Sequence, residues 1–244
     1  ASFLTWTAEG RELLCVRERE GAADLWRIPV AESGSARLVS AIGRAGVDLA
    51  VSPLGDKLAY SDFYRDADIW RLELNQGRAP KPIRYVSSTR LDLSPPISPD
   101  GKRIVFTSLP SGSSQLWVAD SDGSNVAPLT RPKQPVAGAP RWSPDGAQIA
   151  FDGLIEGDFD IYVISAAGGK PRRLTADPVT DAVPSWSHDG KWIYFASNRT
   201  GEFRIWKMPS SQGPGSEVQV TKKGSARLGL AFESTDGKFL YYSV

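Results

Sequence analysis

Residues 142–151 read Trp-Ser-Pro-Asp-Gly-Ala-Gln-Ile-Ala-Phe, and this stretch decides the fold because related stretches recur along the chain. Six copies align on their glycine, and the spacing from one glycine to the next is 45, 46, 45, 44 and 47 residues. A period of roughly 40 to 50 residues, with strand-like sequence on both sides of a turn, is typical of radially repeated β-sheets. The spacing therefore predicts a β-propeller. The six glycines are Gly10, Gly55, Gly101, Gly146, Gly190 and Gly237.

Each repeat has the sequence of four short antiparallel strands. Apolar residues stand three and five positions after the glycine, as Ile149 and Phe151 do, and this period of two is that of a β-strand. The Asp-Gly pair before them predicts a tight hairpin, because glycine accepts the positive φ that such a turn requires. A further strand carries an aromatic residue, as in Asp-Ile-Tyr at 160–162, and an edge strand such as Arg-Leu-Thr at 173–175 completes the repeat.

The sequence predicts one all-β domain over residues 1–244, with five complete blades and a half-blade. The sixth repeat contains its hairpin and the strand up to Tyr242, but not the two further strands of the other repeats. We favour a piece of a longer propeller. The alternatives are a ring closed with a two-stranded last blade, and a blade completed by another chain. The predicted blades cover approximately residues 1–39, 40–84, 85–130, 131–175, 176–221 and 222–244.

The composition argues against several classes of protein. Lysine and arginine number 29 against 28 aspartates and glutamates, so no net field would attract nucleic acid or an anionic membrane. The single cysteine excludes a disulfide framework and a cysteine-based metal site. No apolar run approaches the ~18 residues that cross a bilayer, so we expect no membrane span in this segment. The compartment, periplasm or cytoplasm, stays open.

The chain offers little for catalysis. Its only histidine, His188, stands in a hairpin turn where a solvent-exposed side chain is expected, and no Gly-x-Ser-x-Gly nucleophile motif occurs. Cys15 takes a core position that the other repeats fill with phenylalanine or tyrosine, so we expect a packed, inert thiol. We therefore predict a protein without enzymatic activity, cofactor or metal ion.

Seven of the eight tryptophans recur at two positions of the repeat, and we predict that they form the core between blades. Trp192 alone departs from this pattern. It stands where the other repeats have a polar residue or phenylalanine, so we expect it to be the one partly exposed tryptophan.

The phrases Trp-Ser-Pro-Asp-Gly (142–146), Asp-Ile-Tyr (160–162) and Arg-Leu-Thr (173–175) resemble the propeller repeats of the TolB family, over essentially the whole chain. TolB is the periplasmic partner of the Tol–Pal system, so a role there is one implication. Similar repeats occur in the gating propellers of prolyl oligopeptidases. They also occur in CadC-type regulators, which join a winged-helix DNA-binding domain to a C-terminal TolB-like propeller. Leu-Trp-Arg-Ile-Pro (25–29) and Asp-Ile-Trp-Arg-Leu (68–72) look most like this last group.

The residues that differ between repeats are the best candidates for a binding site. In a propeller, the loop entering the innermost strand and the loop between the second and third strands share one face around the central channel. Mixed charge in these loops could receive a peptide, a carboxylate-bearing ligand or a cation, and ordinary charged surface loops are the alternative. Asp92 and Asp181 both stand nine residues before their glycine, and Arg141 replaces a small or apolar residue. The candidate residues are Arg44, Asp48, Arg90, Asp92, Arg141, Asp181 and Arg227.

The leading hypothesis is a non-enzymatic recognition module that binds a protein, peptide or small ligand at the channel face. The sensor part of a transcriptional regulator is one specific form of it, with no direct nucleic-acid binding by this segment. The alternatives are an accessory gating propeller of a prolyl-oligopeptidase-type serine peptidase and a TolB-like periplasmic protein. We expect Arg90→Glu together with Arg141→Glu to weaken partner binding without lowering thermal stability.

Overall fold

The computed structural model shows a chain of β-strands joined by turns. Twenty-two strands and no helix occur among the described residues, which confirms the predicted all-β class. Within the same residues no helix is long and apolar enough to cross a membrane. The described residues are 4–19, 22–30, 35–43, 49–64, 66–74, 82–86, 92–109, 114–131, 136–154, 157–223 and 228–243.

The chain divides into two compact units, and the first comprises Ala1–Gly112 and Trp117–Ala127. It contains two complete four-stranded sheets, whose strands lie side by side in chain order and pair antiparallel. The first sheet consists of β1 (Leu4–Trp6), β2 (Glu12–Arg19), β3 (Ala22–Pro29) and β4 (Arg37–Gly43). The second consists of β5 (Leu49–Val51), β6 (Lys57–Tyr64), β7 (Asp66–Glu73) and β8 (Ile83–Val86). The third sheet consists of β9 (Asp92–Leu93), β10 (Arg103–Ser108), β11 (Gln115–Asp120) and β12 (Ala127–Pro128).

The second unit comprises Ser113–Leu116 and Pro128–Val244 and contains three sheets. The fourth sheet consists of β13 (Val136–Trp142), β14 (Gln148–Leu154), β15 (Phe159–Ser165) and β16 (Arg172–Arg173). The fifth consists of β17 (Asp181–Trp186), β18 (Trp192–Ser197), β19 (Arg204–Pro209) and β20 (Val218–Gln219). The sixth has only β21 (Ala231–Glu233) and β22 (Leu240–Tyr242). Five four-stranded sheets and one two-stranded sheet are the five blades and the half-blade that the repeats predict.

Two fourth strands extend past the approximate ends of their predicted blades. β8 ends at Val86, beyond residue 84. β4 extends to Gly43, beyond the approximate end of the first predicted blade at residue 39. That the chain folds as a single domain stays a prediction.

The turn before each glycine is held by side chain as well as backbone. In the fifth sheet the Gly190 amide donates to the Ser187 carbonyl (3.0 Å), and the Ser187 hydroxyl donates to Asp189 Oδ1 (2.7 Å). Gly190 has a φ of 70°, which confirms the positive φ inferred from the sequence. The Ser187 amide donates to the Trp192 carbonyl, so four residues separate these two positions. The turn is therefore longer than the tight hairpin expected, and the serine hydroxyl stabilises the added length.

The second repeat shows how an imperfect copy keeps this turn. Leu54 stands where four of the other copies have aspartate and the first has glutamate, and it is 73% exposed. Asp56, on the other side of Gly55, accepts the hydrogen bond from the Ser52 hydroxyl instead. This bond is the largest of the effects that lower the pKa of Asp56. The carboxylate has moved by two positions, and its role in the turn is preserved.

The core lies between neighbouring sheets within each unit, and the second strands of the third, fourth and fifth sheets, β10, β14 and β18, are buried on both faces. In β14, Ala150 packs in a cluster with Ile193 and Phe195 of β18, and all three are fully buried. Phe151, which follows Ala150 and faces the other side of its sheet, is also fully buried. Burying a large apolar side chain contributes about 1.5–3 kcal/mol. Within the second unit, the fourth and fifth sheets therefore stabilise one another through this cluster.

The tryptophans only partly follow the prediction. Trp142 is buried, and Trp70, Trp186 and Trp206 pack against core clusters while staying half-buried. Trp192 is half-buried too, with Lys207 Nζ 4.3 Å from its ring centre. The partial exposure of Trp192 is confirmed, but the expectation that it would be the only such tryptophan is wrong.

Gly190→Ala should lower the free energy of unfolding by about 1–2 kcal/mol, because alanine at a φ of 70° carries the left-handed penalty. A Cβ there would stay 3.6 Å from Pro144, so the cost is backbone strain and not a clash. Gly213→Ala is the matched control, because its backbone has no positive φ and nothing lies within 4 Å of the added carbon. We expect the control to be neutral or slightly stabilising in urea unfolding. Equal effects of the two substitutions would contradict this account.

Candidate functional site

Three of the seven predicted site residues are described, and each lies on the first strand of its sheet. Asp92 begins β9, Arg141 lies in β13, and Asp181 begins β17. Asp92 belongs to the first unit, whereas Arg141 and Asp181 belong to the second. The other four predicted residues lie outside the described residues. They are Arg44, Asp48, Arg90 and Arg227.

Asp92 and Asp181 occupy equivalent positions, as their spacing from the glycine predicts. Asp92 pairs in register with Ser108, and Asp181 pairs with Ser197. Both aspartates are fully buried. The structure therefore places these carboxylates inside their sheets, where they can shape a site but cannot themselves form its surface.

Asp181 is held by Arg199 from the loop between β18 and β19. Arg199 Nη2 lies 2.8 Å from Asp181 Oδ2, and Arg199 Nε donates to the Ser197 hydroxyl (2.9 Å). The guanidinium carbon lies 4.7 Å from the Trp206 ring centre, in the range of a cation–π contact. Both charges are nearly desolvated, since the Arg199 side chain is 13% exposed and that of Asp181 is 0% exposed.

Arg199 also reaches two more carboxylates. Its Nη1 lies 3.5 Å from Asp177 Oδ2 and 3.5 Å from Glu217 Oε2. Asp177 comes from the loop before β17, and Glu217 comes from the segment before β20. We call Arg199, Asp177, Asp181 and Glu217 the Arg199 cluster. It fixes three separate segments of the fifth sheet to one guanidinium.

The electrostatics of Asp181 are set by burial. Burial raises the pKa of Asp181, while a hydrogen bond with Ser197 and the positive charge of Arg199 act in the opposite direction. A buried carboxylate without its cation would carry a large desolvation cost. Arg199 is therefore required for an ionised Asp181 at this position.

A second buried carboxylate, Asp152 of β14, supports a bulge in the neighbouring first strand. Asp152 Oδ2 accepts a hydrogen bond from the Val183 amide (2.8 Å). The pairing of β17 shifts between Ala182 and Ser185, and Val183 has a φ of 49°. Such a φ is a true outlier for a β-branched residue. The carboxylate satisfies an amide that the bulge removes from the regular ladder.

The same bulge recurs in β13, and the same positive φ occurs directly after β9. Ser94 and Ala139 also have positive φ, and each precedes its glycine by seven residues, as Val183 does. In β13 the bulge needs Gly138, because a Cβ there would come within 2.5 Å of Asp152 Oδ1. A positive φ at the same position of three repeats indicates that this backbone conformation belongs to the fold. In the second unit it sets the course of the first strands β13 and β17.

Arg141 contacts two other first strands of the second unit. Its guanidinium carbon lies 5.7 Å from the ring centre of Phe232 in β21, and its carbonyl accepts the Trp186 Nε1–H of β17 (3.1 Å). Burial is the main cause that raises the pKa of Asp152, and the charge of Arg141 partly offsets it. Arg141→Glu would place a second negative charge beside a buried carboxylate. We therefore no longer expect this substitution to leave thermal stability unchanged.

The remaining predicted residues behave as structural groups. His188 is exposed in its turn, as expected, and its amide donates to Glu233. Cys15 is half-buried, and burial raises the pKa of its thiol, which favours the inert form. Among the described residues, no group of three or more histidine, cysteine, aspartate or glutamate side chains could hold a metal ion.

Sequence reasoning missed Glu233, which links the fifth and sixth sheets. Its Oε1 accepts the Tyr194 hydroxyl (2.9 Å), and burial together with this carboxylate raises the pKa of Tyr194 to about 12. A signal was present, because Glu233 stands where other repeats have tryptophan, valine or isoleucine. Asp152 was missed as well, since its partner Val183 lies in another sheet.

Exposed charged residues lie at the same end of the fifth sheet as the Arg199 cluster, and one of them, Asp177, belongs to that cluster. Asp177 and Glu202 have side chains that are 54% and 60% exposed. Lys222 and Lys223 are exposed and follow β20. The last residues of β20 lie at this end of the sheet, because the Val220 amide donates to the carbonyl of Ile205, near the start of β19. We call these residues the loop face. It is defined by Asp177, Glu202, Lys222 and Lys223.

Comparison with solved structures shows the fold. The chain is similar to a protein assigned as TolB from Agrobacterium tumefaciens, with 22% identity, a TM-score of 0.79, and coverage of 99% of this chain and 88% of that one. TolB from Acinetobacter baumannii gives 18% identity and a TM-score of 0.75, with coverage of 92% of this chain. This chain spans 55% of the length of that protein. A puromycin-hydrolyzing peptidase of Mycobacterium tuberculosis gives 14% identity and a TM-score of 0.69, covering 94% of this chain and 40% of that one.

These likenesses identify the class: the chain is a β-propeller protein of the TolB-like type. Residues 111–244 also match the model of the Tricorn protease N-terminal beta propeller domain. The chain belongs to that family.

Asp152→Asn should change how stability depends on pH. Burial raises the pKa of Asp152 above its ordinary value of 3.8, so its contribution to stability is complete below that value and is lost as pH rises through the folded-state pKa. Asparagine keeps an oxygen for the Val183 amide but does not ionise. Relative to wild type, the variant should gain about 1.4 kcal/mol between pH 4 and pH 7 for each unit of pKa shift. Unfolding measured by urea across this range tests it.

Asp152→Ala is the control for that experiment. It removes the acceptor altogether and leaves the Val183 amide unsatisfied, which should cost about 1–3 kcal/mol. Stability curves of wild type and Asp152→Asn that run parallel over the whole pH range would contradict the role of burial.

Arg199→Ala should lower the free energy of unfolding by about 3 kcal/mol or more, because it leaves the buried Asp181 without its cation. Lys191→Ala is the matched control, since Lys191 pairs with Asp189 at 3.0 Å but has a side chain that is 77% exposed. The control should cost less than about 1 kcal/mol. Asp181→Asn in the Arg199→Ala background should recover part of the loss. No recovery would show that Arg199 acts through packing on Trp206 and not through the ion pair.

Proposed function

We propose that this propeller is a non-enzymatic recognition module that binds a protein or peptide through the loop face. The observation that carries the proposal is the Arg199 cluster. It ties three segments of the fifth sheet to a rigid base while Asp177 and Glu202 keep exposed carboxylates. Exposed charges on a fixed support are what specific binding requires, since little conformational entropy is lost on association.

The position of the one histidine supports the absence of catalysis. His188 lies in the turn after β17, whereas the loop face lies at the start of β17, at the opposite end of the strand. His188 therefore cannot act as a general base at the loop face. Asp181, the buried carboxylate beside this face, is already engaged with Arg199.

A second candidate function is supported by the family match. The matched model describes the propeller of a protease, and a peptidase is among the similar structures. An accessory gating propeller of a serine peptidase, of the prolyl-oligopeptidase type, is therefore the alternative. It requires a hydrolase domain with a Gly-x-Ser-x-Gly motif elsewhere in the protein.

Two further forms of the recognition proposal rest on the TolB-like repeats. One is a TolB role in the periplasm, and the other is the sensor half of a CadC-type transcriptional regulator. The sequence of the whole gene separates them. A signal peptide supports the first, a winged helix upstream supports the second, and a hydrolase downstream supports the peptidase.

Lys222→Glu with Lys223→Glu should weaken binding of acidic peptides selected on the wild-type protein from a displayed random library. We expect at least a tenfold loss, about 1.4 kcal/mol, and a smaller loss at high salt. Lys170→Glu with Lys191→Glu is the control, because it reverses the same number of exposed charges at the turn end of the sheets. Both variants should keep the wild-type melting temperature.

Equal losses in the two variants would show that net charge, and not the loop face, determines binding. Hydrolysis of fluorogenic peptides by the wild-type chain, abolished by one substitution, would contradict the non-enzymatic proposal.

A further inference from the structure

A cavity of about 340 Å³ lies between the fourth and fifth sheets, at the end where their glycine turns are. Its lining combines the charged side chains of Asp145, Arg172 and Asp189 with the apolar side chains of Pro144 and Trp186. A cavity of this size can hold a small organic molecule. The loop face lies at the opposite end of the fifth sheet, so this cavity is separate from the candidate site described above.

Main-chain carbonyls fix Arg172 in this cavity. Arg172 belongs to β16 of the fourth sheet, and its guanidinium reaches across to the segment that follows β19 of the fifth sheet. Its Nη1 donates to the Gln212 carbonyl (2.9 Å), and its Nη2 donates to the Ser210 carbonyl (2.7 Å). Within the described part of the chain, no carboxylate forms an ion pair with Arg172. The guanidinium therefore keeps its full charge and further N–H donors for an anion.

The first sheet shows what the equivalent arginine binds. Arg37 of β4 is in register with Arg27 of β3. Arg172 is in register with Val163, which stands 17 residues after its glycine, as Arg27 does. Arg37 Nη2 donates to Glu12 Oε1 (2.9 Å), and Arg27 Nη1 lies 3.4 Å from Glu12 Oε2. One carboxylate from the second strand therefore serves both arginines of the first sheet.

The fourth sheet has a neutral residue in the position of this carboxylate. Gln148 stands two residues after Gly146, just as Glu12 stands two residues after Gly10. The Gln148 side chain lines the cavity and is exposed. The fourth sheet therefore has the arginine of the first sheet without its carboxylate, and this arginine borders a cavity.

The two aspartates of the lining limit the charge that a ligand can carry. A hydrogen bond from Ser143 is the largest of the effects that lower the pKa of Asp145, and one from Ser187 lowers that of Asp189 in the same way. Both carboxylates are therefore ionised at neutral pH, and they repel a ligand with two negative charges, such as phosphate, more strongly than one with a single charge.

We propose that this cavity binds a small organic monocarboxylate, whose carboxylate takes at Arg172 the place that Glu12 takes at Arg37. The further N–H groups of Arg172 donate to the carboxylate oxygens. The carbon chain of the ligand lies against Pro144 and Trp186. Charge-assisted hydrogen bonds from a guanidinium that is already fixed give the ligand its orientation.

Butyrate is the probe, because its atoms reproduce the Glu12 side chain from Cα to the carboxylate. Added to the isotope-labelled chain, it should shift the NMR signals of the Trp186 indole N–H and the Arg172 Nε–H. The shifts should saturate with a millimolar dissociation constant, as expected for a ligand of few atoms. Butyramide has nearly the same shape but no charge, and we expect it to bind about tenfold more weakly. Inorganic phosphate should also bind about tenfold more weakly than butyrate.

Gln148→Glu gives Arg172 the carboxylate that Glu12 supplies in the first sheet, so it should weaken butyrate binding about tenfold. Arg172→Gln should cause a similar loss. Lys170→Gln is the matched control, because it removes an exposed charge outside the cavity lining and should bind butyrate like the wild type.

The three ligands on the wild-type chain give the result even if a variant fails to fold. The proposal would be overturned if butyrate produced no saturable shift at Trp186 and Arg172, or if butyramide or phosphate bound as well as butyrate. Unchanged butyrate binding in a folded Gln148→Glu variant would also overturn it. None of these outcomes depends on peptide binding at the loop face, so the two proposals fail separately.

Discussion

Burial of the second strands on both faces is the constraint on which the rest of the structure depends. Ala150 and Phe151 are adjacent in β14, face opposite sides and are both fully buried. Both faces of such a strand must therefore be covered, and polar groups are confined to strand ends unless they are paired. This explains why the charged residues of the second unit collect at the loops and in a small number of paired, buried positions.

The two buried carboxylates of the second unit solve the same desolvation problem in different ways. Asp181 is opposed by a full positive charge on Arg199, and the result is a rigid junction of three segments. Asp152 accepts a hydrogen bond from one amide, that of Val183, and the charge of Arg141 favours its ionised form. The first arrangement stabilises loops, while the second stabilises a strained bulge in a first strand. Both place their effect at the strands and loops that form the candidate site.

The sequence predicts the strands and core positions within each repeat, but few of the contacts between one repeat and another. Spacing from Gly190 correctly placed Ile193 and Phe195 in the core. It could not show that Asp152 supports Val183, because the two lie 31 residues apart in different repeats. The bulges left one weak signal, a proline directly after each residue with positive φ in Ser94-Pro95, Ala139-Pro140 and Val183-Pro184. Four of the predicted site residues lie outside the described residues, so their role stays a prediction.

Residues that differ from the repeat pattern make contacts that the other repeats do not have. Leu54 leaves the hydrogen bonding of the turn intact, because Asp56 accepts the bond from the Ser52 hydroxyl. Glu233 replaces an apolar residue of the first strand and converts a packing position into a hydrogen-bonded link with Tyr194. That link fixes β21 to the fifth sheet through a side chain.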